Sequence, residues 1–153
     1  MIVGLDTATN FSFYAIPAAW VLAIAPHFYA VGLLNLKHGA DKPGFDFSNP
    51  KKSRERIGLT GLNAEQQGQY LRAEQANDNG FLGLPFFACA ILAGNLARLP
   101  AHQLNSAAAF YLGTRVAFNL LYVFGNNSSF SVLNLFIQAG KVLQYTDIAV
   151  TVA

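Results

Sequence analysis

Charge is what this sequence has least of for its length. Charged residues make up 12% of its 153 positions, against roughly 25% in an ordinary soluble domain. Hydrophobic residues make up 53%, and the mean hydropathy is +0.31. A soluble fold this small would leave too much of that apolar surface wet, so lipid is the expected solvent. A single cysteine, Cys89, excludes an internal disulfide, and Cys/His spacing of the metal-binding kind is missing. The net charge of +2 is too small to argue for a nucleic-acid partner. Met1 to Asn10 lacks a basic n-region and carries Asp6, so the first apolar run is expected to stay in the mature chain rather than act as a signal peptide. Repeats and low-complexity tracts are also missing, which leaves one domain on the length prior.

What the chain does have is four apolar stretches, each near the roughly 20 residues that a bilayer core demands. They run from about 11 to 36, 80 to 99, 107 to 124 and 130 to 152. The second is expected to extend a polar amphipathic helix that begins near Asn63. Period-2 alternation is lacking, and in lipid only helices or closed barrels satisfy their backbone. The expected fold class is therefore all-α, an integral membrane four-helix bundle. Pro100 and the Gly125-Asn126-Asn127-Ser128 run mark tight turns between helices. The long connection from about 37 to 70 holds Lys37, Lys42, Lys51, Lys52, Arg54 and Arg56, six of the ten basic residues. The positive-inside rule puts it in the cytoplasm, with both termini on the other side. In the simplest reading its basic run is a solvated loop that touches anionic headgroups.

Polar groups inside spans are costly and by default mark a function or a partner. Arg115, Asn119 and Tyr122 fall on one stripe of the third span. A guanidinium, an amide and a phenol on one face suit a polar or anionic ligand, and an arginine paired to a neighbouring helix for assembly is the alternative. Arg72, Glu74, Gln75, Asp78 and Asn79 open the second span, where Glu74 or Asp78 could receive Arg115. Gln138, Lys141 and Tyr145 share a stripe of the fourth. Lys141 is a candidate for binding a substrate acid or acting as a base, and pairing with a carboxylate on another helix is the alternative. His27 reads as a hydrogen-bonded interior histidine and Cys89 as packing.

The stretch Arg72-Ala73-Glu74-Gln75-Ala76-Asn77-Asp78-Asn79, followed by Leu84-Pro85-Phe86-Phe87, resembles the signature of the MAPEG family, the membrane-associated proteins in eicosanoid and glutathione metabolism. Gly113-Thr114-Arg115-Val116, with Tyr122 seven residues after Arg115, is similar to a second family pattern. The resemblance implies a homotrimer of four-helix subunits in an internal membrane such as the endoplasmic reticulum. It implies glutathione as cofactor, bound between subunits near the cytoplasmic face, and a lipophilic small molecule taken from the bilayer. Arg72, Asn79, Arg115 and Tyr122 stand where the family places glutathione-site residues. Ser131 matches a serine near the chemistry and Gln138 a pocket glutamine.

Several positions depart from that pattern. Asn35 stands where an arginine is expected, Gln75 and Asp78 where basic residues precede the Asn, Leu82 where the motif has glutamate, and Phe118 where part of the family has histidine. Phe130 stands where an arginine would stabilise the glutathione thiolate, and a thiol near pKa 8.5 needs such a cation to ionise at neutral pH. Three readings follow. One is a glutathione-dependent transferase or isomerase with Ser131, Tyr122 and Arg115 at the chemistry and Gln138 and Lys141 on the substrate. Another is a glutathione-independent isomerase or cyclase of a lipophilic substrate, using acid–base chemistry from Tyr122, Arg115 and Lys141. The third is a non-enzymatic lipid-binding regulator.

Overall fold

The computed structural model describes residues 10–125, and everything structural below concerns those residues. The expected fourth span, with Phe130, Ser131, Gln138 and Lys141, lies outside them. A 3-10 turn, Ser12–Tyr14, leads into α1 (Ala15–Lys37). A connection follows that contains the short α2 (Pro50–Glu55) and a second 3-10 turn, Ile57–Leu59. The long α3 (Ala64–Leu96) and α4 (Ala101–Phe124) complete the described chain. Three helices, Ser12–Lys37 with its leading turn, Ala64–Leu96 and Ala101–Phe124, are long and apolar enough to cross a membrane.

Local chemistry accounts for the ends. Asn63 accepts from the Gln66 amide at 2.9 Å while the Gln66 side chain accepts from the Asn63 amide at 3.0 Å. This reciprocal box satisfies two amides that the first turn of α3 would otherwise leave bare. At the other end Leu99 N–H reaches the Gly94 carbonyl and Arg98 N–H that of Asn95, at 3.0 and 3.1 Å. Arg98 takes φ 59° to close this cap, a conformation more usual for glycine. Pro100 then starts α4, the turn expected there.

Packing explains how the helices meet. α1 buries Ala15, Ala19, Ala23 and Ala30, and α3 buries Ala73, Ala76 and Gly80. Small residues let backbones come close, which is the main source of helix association in lipid. At Gly80 the approach is extreme: a Cβ there would lie 2.8 Å from the Ala23 Cα. Lower in the bundle Phe87 stacks on Tyr111 at 3.9 Å. Large apolar side chains such as Trp20, Phe28, Leu82, Phe86 and Phe110 point outward. Only 22–28% of each span's most apolar window is buried within the chain, so the outer face suits hydrocarbon or other subunits.

Candidate functional site

Two polar clusters form in the half of the bundle that holds the end of α1 and the start of α3. The first is a charge network. His27 Nδ1 lies 2.8 Å from Glu74 Oε1, and Arg54 Nη2 lies 3.2 Å from Glu74 Oε2. Arg54 Nη1 also reaches Asp78 Oδ2 at 3.1 Å. Glu74 and Asp78 are one turn apart on α3, so a single guanidinium from α2 bridges both. The salt bridges found at these acids thus run to Arg54 and His27, where the sequence had suggested Arg115. His27 is hydrogen-bonded, as expected, but its side chain remains 27% exposed and so is only partly interior.

The second cluster holds Arg72, Asn79, Arg115 and Tyr122, the described residues with site expectations, and adds Gln75, which had none. Arg72, Gln75 and Asn79 lie within about 60° of one another around α3. Tyr122 donates its hydroxyl to Gln75 Oε1 at 2.8 Å and stacks on Phe118 at 5.2 Å. Arg72 Nε donates to the Val123 carbonyl at 3.2 Å, one of the carbonyls that the last turn of α4 leaves without a helical donor. Arg72 and Tyr122 therefore join the start of α3 to the end of α4. Asn79 is half-buried, and its side chain makes no hydrogen bond to another described residue. Arg115 is 3% exposed. Its guanidinium lies 5.2 Å from the Phe118 ring centre and within 3.1 Å of where a Gly80 Cβ would stand. The glycine leaves room for both α1 and the Arg115 head.

Asn119, read from sequence as part of the ligand stripe, also has a role within the fold. Its Nδ2 donates to the Leu22 carbonyl on α1 at 2.8 Å. Leu22 is four residues before Pro26, which has no N–H to return to it. In lipid such a freed carbonyl needs another donor, and Asn119 supplies it. The signal was in the sequence: a proline inside a span calls for a polar side chain on a neighbouring helix. Asn35, at the expected arginine position, accepts from the Phe45 amide at 2.9 Å and holds the connection. Leu82 is 70% exposed on the outer face. Ser131, Gln138 and Lys141 lie outside the described residues.

Long apolar helices, close small-residue seams and polar groups gathered in one half define a multi-pass helical membrane protein. The family model of the MAPEG family matches residues 12–139, and the chain belongs to that family. Searches of the curated proteins and of the solved structures returned no match.

Proposed function

We propose that this protein is a membrane enzyme that uses glutathione on a lipophilic substrate, by transfer or isomerisation, as a homotrimer in an internal membrane such as the endoplasmic reticulum. The supporting observation is the half-open polar face formed by Arg72, Gln75 and Asn79 with the Tyr122 hydroxyl on it. Gln75 is exposed and Arg72, Asn79 and Tyr122 are half-buried, so a ligand reaching this face would meet polar side chains beside apolar surface from which a lipophilic partner would arrive. Arg115, buried just inside, supplies a fixed positive charge for an anionic group. Ser131, Gln138 and Lys141 complete the proposed site from the fourth span.

The second reading, an isomerase or cyclase that works without glutathione, draws on one observation. Glutathione carries two carboxylates, and the side chain at the expected arginine position, Asn35, is committed to Phe45. Calorimetric titration of the purified protein with glutathione in detergent separates the two. Binding well below millimolar, lost in Arg115→Lys with the oligomer intact, supports the first. Because Phe130 replaces the thiolate-stabilising arginine, bound glutathione should show only a weak ultraviolet thiolate band at neutral pH. Phe130→Arg should strengthen that band and raise conjugation of a chloronitrobenzene. Absent binding together with turnover of a lipophilic substrate would reject the glutathione reading in favour of the second.

A further inference from the structure

The connection between α1 and α3 does not project from the end of the bundle. Arg54 ties α2 to Glu74 and Asp78, and the Phe45 ring packs edge-on against His27 at 5.7 Å. His27 lies ten residues before the end of α1 at Lys37, about 15 Å back along its axis. Asp78 is two residues before Gly80, where the apolar run of α3 starts. The connection is thus folded back along the bundle, which brings α2 level with the start of the apolar run of α3.

A cleft of about 80 Å³ opens in this folded-back segment, lined by Lys52, Arg56, Ser53, Thr60, Asp46 and Gly44. That is room for a group several times the size of a water molecule. Lys52 and Arg56 make no ion pair with any described residue. Asp46 already accepts from the Ser48 and Asn49 amides, both at 3.0 Å. Ser53 Oγ accepts from the Asp46 amide at 2.8 Å, which leaves its hydrogen to give. Two cations against one carboxylate leave the lining with one surplus positive charge. Next in sequence to Asp46 and Thr60 are Phe47 and Leu59, exposed by 74% and 64%. Large apolar side chains in a polar connection fit a segment whose surface dips into a bilayer.

We propose that this cleft binds the phosphate of an anionic phospholipid, with Lys52, Arg56 and the Ser53 hydroxyl on the phosphate oxygens and Phe47 and Leu59 among the acyl chains. An ammonium, a guanidinium and a hydroxyl match the several acceptor oxygens of one tetrahedral group. The site is separate from the Arg72–Tyr122 face and does not depend on the glutathione reading.

The test is native mass spectrometry of the full chain in detergent with mixed phosphatidylglycerol and phosphatidylcholine. The unaltered protein retains phosphatidylglycerol preferentially. Lys52→Gln with Arg56→Gln lowers that retention about 30-fold, at roughly fivefold for each basic residue lost. Lys42→Gln with Lys51→Gln, which removes the same charge outside the cleft, stays within about twofold. Equal losses in the two double variants, or none in the first, overturn the proposal. Phe47→Ser with Leu59→Ser weakens lipid retention; no change there overturns the apolar half. Inorganic phosphate in large excess leaves the lipid bound. Displacement by it would assign the cleft to a soluble phosphate and overturn the lipid assignment.

Discussion

Asn119 and Pro26 show how a single residue's chemistry is dictated by one on another helix. Pro26 strips the Leu22 carbonyl of its helical donor, and Asn119 restores one from α4 at 2.8 Å. Asn119→Leu should therefore destabilise the protein by about 0.5–1.5 kcal/mol, the range of an interhelical hydrogen bond in a membrane. Pro26→Ala gives Leu22 back its own donor, so Asn119→Leu made in that background should cost much less. Thermal or denaturant unfolding of the two single variants and the double variant in detergent measures the coupling. Additive effects would mean that Asn119 acts through some other contact. The neighbours of Asn119 on the same stripe differ from it. Arg115 is buried against Gly80 and Phe118, and the Tyr122 hydroxyl lies at the partly open edge.

Among the elements, the three long helices were legible in the sequence and α2 was not. Spans declare themselves through uninterrupted apolar runs, and the start of α3 through an Asn63–Gln66 pair three residues apart. Pro100 marked the turn before α4. The basic run around Lys51–Arg56 reads locally as solvated, because its partners are distant in sequence: Arg54 meets Glu74 and Asp78 only once α1 and α3 have packed. Of the candidate site, the sequence offered Arg72, Asn79, Arg115 and Tyr122 one by one. Spacing could not reveal that Gln75, a departure from the family pattern, accepts from Tyr122, that Arg72 reaches an α4 carbonyl or that Asn119 repairs α1. The role of Arg54 gives an element-scale prediction. Arg54→Ala leaves Glu74, only 11% exposed at its side chain, with His27 as its remaining partner in the network, and detaches α2 from α3. It should cost about 1–3 kcal/mol and make the bonds between 38 and 63 much more sensitive to limited proteolysis. A cleavage pattern identical to that of the unaltered protein would show that other contacts hold the connection.

For the whole molecule, the orientation in the bilayer follows from where the basic residues sit. The connection with Lys42, Lys51, Lys52, Arg54 and Arg56 should face the cytoplasm. Lys51 is exposed and Lys52 half-buried, so Lys51→Cys in a Cys89→Ser background is the better reporter. A membrane-impermeant maleimide should label it in sealed vesicles whose cytoplasmic side faces out. Protection there, with labelling only after the vesicles are opened, would invert the topology and move the Arg72–Tyr122 face to the opposite compartment with it.

The close seam between α1 and α3 has one more consequence, for alignment. Ala15, Ala19 and Ala23 recur every fourth residue on α1, so the steps of this small-residue track are nearly equivalent in shape. Sliding α1 by one turn, about 5.4 Å, would bring another alanine, Ala19, opposite Gly80, whereas sliding the other way would drive His27 into a gap that barely admits an alanine backbone. At the Gly80 contact itself, two settings thus look alike. Polar bonds distinguish them: the slide that brings in Ala19 pulls His27 off Glu74 and the Leu22 carbonyl off Asn119. Apolar packing holds the two helices together, while a few buried polar atoms choose which notch they occupy.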